Sequence, residues 1–242
     1  MDTLQCRRAR TGRFGGLRIV LPPPPPTDAT MPIEPRPLPC VPAAFAPHLP
    51  AEVVERHRQA QQATCDALQA LLGDAEEAPA PEMLAIEARG ALAAHAAQAW
   101  AEDFHWAALR PPAASGPDGP DGALAAAIQK AFGEPQRLRE RFAEVAGRLG
   151  GPGWLWLVLR RDDRLAIMAT PRSATPLTGG DAPLLGCCLW PHALPEGEGA
   201  LQRYLDGFWA LVDWRVVDAR LEQARAALKP SRGGAATAPA GR

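Results

Sequence analysis

An α+β fold is what the sequence predicts: an N-terminal antiparallel helical hairpin, then an α+β domain built on a three-stranded antiparallel sheet. Three observations carry this. Two long stretches, Pro50 to Leu72 and Pro81 to Trp106, repeat their core-facing residues at helical spacing. A connector from Arg110 to Gly122, holding Pro111, Pro112, Pro117 and Pro120 with Gly116, Gly119 and Gly122, separates them from the rest. Beyond it, three short apolar runs read as strands between helical segments, and helices gathered on one side of a small antiparallel sheet make an α+β domain.

Each element follows in order. Residues 1–36 carry arginines and the run Pro22 to Pro26 with little apolar pattern to bury, and are expected to form a disordered tail. Met31 is a second candidate start. The hairpin domain is expected over 37–110. Its first helix holds no glycine or internal proline between Pro50 and Leu72, presents His57, Gln61, Cys65, Leu68 and Leu72 along one stripe, and ends at Gly73. Its second helix begins at Pro81, a favoured first-turn residue, and carries Leu84, Ala88, Ala91, His95, Gln98, Glu102 and His105 on one face. A short acidic loop between them favours antiparallel pairing. After the connector (111–122), the domain 123–228 starts with helices at Leu124 to Phe132 and Pro135 to Arg148, stopped by Gly150-Gly-Pro-Gly153. Strands are expected at Trp154 to Leu159, Leu165 to Thr170 and Leu184 to Trp190, then one helix from Leu201 to Leu228 with Tyr204, Leu205, Phe208, Leu211 and Val212 buried. Residues 229–242 read as a second tail.

Composition narrows the function. With 47% apolar residues the chain can bury a core, yet no apolar run approaches the roughly 20 residues of a membrane span. A net charge of −1 gives no global attraction to nucleic acid or an anionic membrane. Five cysteines, an odd number without zinc-ribbon or redox-motif spacing, point to a reducing compartment, here the cytoplasm. Cys187 and Cys188 are adjacent, too close along the chain to pair with each other.

Four segments carry chemistry. They are Phe45-Ala-Pro-His48-Leu-Pro-Ala-Glu52 with His57; Ala96-Ala-Gln98-Ala-Trp100-Ala-Glu102-Asp-Phe104-His-Trp106; Gly151-Pro-Gly-Trp154-Leu-Trp156-Leu-Val158, with Thr175-Pro-Leu177 and Pro183-Leu-Leu185 behind it; and Phe208-Trp-Ala-Leu-Val-Asp-Trp214. In this order and spacing the chain resembles the iron/manganese superoxide dismutases from Pro37 to Leu228. The resemblance implies conversion of superoxide to oxygen and hydrogen peroxide at one iron or manganese ion.

The same resemblance places His57 and His192 at two of the family's four ligand positions. Glu102 stands where the family has a histidine. Cys188 opens the run Cys188-Leu-Trp190-Pro191-His192-Ala-Leu-Pro195, which stands for the signature Asp-x-Trp-Glu-His-x-x-Tyr, so it replaces the aspartate ligand. Around the metal, Gln98 matches the residue that holds bound solvent in iron-type members, and Trp100, Trp154 and Trp190 are assigned to the tryptophan wall. Cys65 replaces the gateway tyrosine and Gln61 the histidine one turn before it. Pro191 and Pro195 replace the glutamate and tyrosine that bridge the family dimer, so the family-type homodimer is expected to be weakened or absent.

Two replaced ligands leave two readings. A thiolate and a carboxylate suit zinc or ferrous iron better than trivalent manganese, giving a metalloenzyme of altered metal preference and reduced activity. Alternatively, no metal is held and Glu102, a carboxylate facing the interhelical core, is satisfied by His57 and His192 in an inactive, binding or structural relative.

Overall fold

The structure is a computed structural model that describes residues 33–73, 78–112, 114 and 116–228. The expected tail 229–242 and most of 1–36 lie outside these residues. Ile33 and Arg36, assigned to that tail on composition, donate their backbone N–H groups to Gln69 Oε1 and Asp103 Oδ1, each at 3.1 Å.

Helix α1 (Ala51–Leu72) runs unbroken to Gly73, whose φ of 62° ends it. His57, Gln61, Cys65 and Leu68 form its buried stripe as the spacing predicts, while Leu72 is half-buried. The second helix is divided into α2 (Pro81–Glu87) and α3 (Gly90–Trp106). Arg89 is extended and Gly90 has φ of 64°, a left-handed conformation that breaks the hydrogen-bond ladder. Helix α3 packs on both α1 and the sheet.

Helices α4 (Gly122–Phe132) and α5 (Pro135–Arg148) precede strands β1 (Gly153–Leu159), β2 (Leu165–Pro171) and β3 (Ala182–Cys188). The sheet is antiparallel in the order β2-β1-β3. All seven residues of the central strand β1 are buried, because its side chains alternate between two covered faces and β2 and β3 cover its edges. Pro183 sits on the edge strand β3, opposite a register shift at Leu157/Val158, where a missing N–H is tolerated. The third strand ends at Cys188 instead of Trp190, because Pro191 opens a 3-10 turn (Pro191–Ala193).

The expected single C-terminal helix is also two, α6 (Ala200–Leu211) and α7 (Trp214–Leu228). Val212 is extended and forms an isolated antiparallel bridge with Leu109. Arg110 N–H donates to the Leu211 carbonyl and Asp213 N–H to the Ala108 carbonyl, both at 2.8 Å, so the end of the helical hairpin is stitched to this break. Asp213 Oδ1 then accepts the Arg215 N–H at 3.1 Å, as an N-cap residue does.

Candidate metal centre

Four elements converge on one point. Helix α1 contributes His57 from its buried stripe, and α3 contributes Glu102. The end of β3 delivers Cys188, and the following 3-10 turn His192. That turn is held to α1 by Arg56, which donates from Nε to the His192 carbonyl at 3.2 Å and from Nη2 to the Leu194 carbonyl at 2.6 Å. One ligand atom from each of His57, Glu102, Cys188 and His192 lies within 4.8 Å of the others. Such separations match one shared cation, although bonds of about 2.0–2.3 Å would draw the donors closer.

Glu102 is the hub. It is 1% exposed, its Oε2 meets His57 Nε2 and its Oε1 lies 3.5 Å from His192 Nε2. Gln98 Nε2 donates to Glu102 Oε1 at 2.7 Å, and Trp154 Nε1 donates to Gln98 Oε1 at 3.2 Å. Burial alone would raise the carboxyl's pKa, but the charge of His57 and the hydrogen bonds from His192 and His57 outweigh it and hold the value at about 2. Cys188 Sγ lies 3.9 Å from His192 Nε2. Burial, reinforced by the Glu102 charge, pushes this thiol well above its ordinary pKa, so Cys188 is a protonated thiol until a cation displaces the proton.

Not every residue assigned from sequence faces this point. Trp154 does so through Gln98, and Trp190 stacks on His192 with ring centroids 5.8 Å apart. Trp100 does not. It lies two residues beyond Gln98, about 200° around the helix, and stacks instead on Phe104 and Trp156 at 5.0 and 5.7 Å. The third ring beside the ligands is Trp106, 4.7 Å from the His57 ring, and its position four residues after Glu102 was the signal that it shares that face. His105 completes the surround, stacked 5.4 Å from His57 with Nδ1 3.0 Å from the Gly186 carbonyl; burial and the charge of His57 pull its pKa down to about 4.

Gln61 and Cys65, which the resemblance assigns to the gateway pair, lie in a network of their own. Gln61 Nε2 donates to Asp103 Oδ1 at 2.7 Å and accepts from Arg58 Nη1 at 2.5 Å. Cys65 is buried, and burial together with the Asp103 charge pushes its thiol to about 12.

Comparison with known proteins agrees with this arrangement of helices and sheet. Residues 120–220 match the model of the C-terminal domain of iron/manganese superoxide dismutases. The iron superoxide dismutases of Salmonella typhimurium and Escherichia coli are each 36% identical over 183 residues, which cover 74% of this chain and 93% of theirs. That of Bordetella pertussis is 36% identical over 181 residues, again 74% of this chain and 93% of the relative.

The chain belongs to the iron/manganese superoxide dismutase family.

The fold is the family's, and His57 and His192 are at the positions that the resemblance assigns to histidine ligands. Glu102 and Cys188 change the donor set to two imidazoles, a carboxylate and a thiol. These four form a group able to hold a metal ion.

Proposed function

We propose that this protein is a superoxide dismutase-family member whose centre prefers zinc or ferrous iron and whose turnover of superoxide is well below the family's. The observation that carries this reading is the donor set His57, Glu102, Cys188 and His192. Bound iron or manganese supplies the one-electron exchange by which one superoxide is oxidised to oxygen and a second, taking two protons, is reduced to hydrogen peroxide. The chain's own groups would hold and orient: His57 and His192 by imidazole nitrogen, Glu102 by a carboxylate oxygen, and Cys188 by sulfur after losing its proton. Gln98, fixed by the Trp154 indole, orients Glu102, whereas Trp106, Trp154 and Trp190 exclude water. The gateway differs most. Cys65, a thiol with its pKa near 12, and Gln61, occupied by Asp103 and Arg58, offer a poorer proton path than a tyrosine and histidine would.

A second reading has its own support. Glu102 is fully satisfied by His57, His192 and Gln98, so the buried carboxylate needs no cation to offset it. In that case the protein is an inactive, superoxide dismutase-like binding or structural component. Metal analysis of protein purified without added metal separates the two. One iron per chain with weak dismutase activity, or one zinc per chain, which has no redox chemistry, with none, supports the first reading; no bound metal supports the second, and stoichiometric manganese with full family turnover overturns both. The cytoplasm is the compartment proposed, since the four described cysteines are free and no described helix is long and apolar enough to cross a membrane.

A further inference from the structure

Gln98, Glu102 and His105 occupy the face of α3 turned to the metal centre. The opposite face, with Trp100 and Phe104, walls a separate cavity of about 280 Å³ whose far side is Ala224, Ala227 and Leu228 of α7. Pro183 and Leu159 close it at the sheet edge. This volume lies just below the roughly 300–1,000 Å³ of typical ligand sites, which suits a small occupant.

The charges in the cavity do not cancel. Its carboxylates are Asp103 and Glu82, and Arg36 serves both: it pairs with Asp103 at 3.5 Å and its field opposes the effect of burial on Glu82. Arg161 donates from Nε to the Gly180 carbonyl at 3.4 Å. Arg220 is different. Its Nη1 donates to the Leu184 carbonyl at 3.0 Å and its Nη2 to the Phe104 carbonyl at 3.1 Å, with the guanidinium 3.5 Å over the Phe104 ring. No described carboxylate pairs with it, and burial alone pulls its pKa down to about 9. Two of its five N–H donors are used by carbonyls, so three are left for an acceptor.

We infer that this cavity binds a small monocarboxylate with an apolar body, its carboxylate on Arg220 and its hydrocarbon against Trp100, Phe104 and Ala224. An anion there would neutralise a half-buried cation, and the apolar walls would take the tail from water. The site is independent of the metal centre, on the other side of α3.

The test is calorimetric titration of the full chain with sodium octanoate, 1-octanol and octylamine. Octanoate should saturate one site per chain, octanol should bind at least about tenfold more weakly, and octylamine should not saturate. Ala224→Trp, or Ala227→Trp as a second way to fill the space, should weaken octanoate at least about tenfold with circular dichroism and melting unchanged. Arg220→Lys should keep the preference for octanoate, and Arg220→Gln should abolish it. The inference is overturned if octanoate shows no saturable binding, if octanol binds as tightly, or if a folded Ala224→Trp or Ala227→Trp protein binds octanoate as the unmodified chain does.

Discussion

Glu102 and Cys188 decide the chemistry of the centre, and each can be reversed. On the proposed assignment, converting Glu102→His and Cys188→Asp together restores the family's donor types at all four positions. The double variant should take up iron or manganese and recover part of the dismutase activity, and either single change should recover less because one foreign donor stays. Elemental analysis alongside an activity assay reads both quantities, and a double variant without metal would refute the assignment of these positions as ligands. Acid sensitivity is a second residue-scale outcome. His105 is neutral when folded, with its pKa lowered from 6.5 to about 4, and Glu102 is ionised, with its pKa lowered from 4.5 to about 2. In both windows the unfolded chain binds more protons than the folded one, so stability falls as pH falls, from about 6.5 for His105 and from about 4.5 for Glu102. The His105 shift amounts to on the order of 3 kcal/mol at full protonation. Urea midpoints of metal-free protein should therefore drop between pH 7 and 4, and the drop should be smaller in His105→Phe, a ring that keeps the stacking on Phe208. Equal slopes in the two proteins would exclude His105 as the titrating group.

At the scale of elements, the two helix breaks fix how the hairpin meets the C-terminal part. The break before α7 exposes the Leu211 carbonyl and Asp213 N–H to the end of α3, and Asp213 caps the helix that follows. Asp213→Ala should cost about 1 kcal/mol, the ordinary worth of an N-cap, together with its contacts to Arg215 at 2.7 and 2.9 Å. Gly207 of α6 is tighter still. A Cβ there would run into the His48 carbonyl, which is backbone and cannot swing aside, so Gly207→Ala should lower stability by about 1–3 kcal/mol, read as a shift of the urea midpoint at constant slope. An unchanged midpoint would mean that the approach of His48 to α6 yields easily.

For the whole molecule the open quantity is association. The resemblance assigns Pro191 and Pro195 to the positions of the signature glutamate and tyrosine that bridge the family's dimer. Pro191 opens the 3-10 turn that presents His192, and Gln61 is satisfied within its own chain by Asp103 and Arg58. On that assignment proline, which has no side-chain donor or acceptor, can make neither bridging hydrogen bond. Sedimentation velocity at micromolar concentration should show mainly monomer or a weakly associating species, and a tight dimer on the family's usual face would contradict this reasoning.

The sequence by itself determined the fold class, because its helical stripes, glycine stops and strand runs are local signals. It also determined the four residues that gather at the centre, because each sits in an ordered motif. The run through Ala88 to Gly90 read as continuous helix by periodicity, although Gly90 itself was the available sign of a break. The interruption at Val212 carried a weaker sign, Asp213, a residue type that caps helices but also occurs within them. It exists because Leu109 and Arg110, a hundred residues earlier in the chain, offer backbone partners that outweigh helix continuation. Trp100 and Trp106 are equally plausible wall residues in the linear motif, and only the rotation of α3 against α1 and the sheet turns Trp106 to the ligands and Trp100 to the opposite cavity. The pairing of Glu102 with both histidines and the isolation of Arg220 from any described carboxylate were likewise decided by the tertiary structure, since both depend on which buried groups meet across elements distant in sequence.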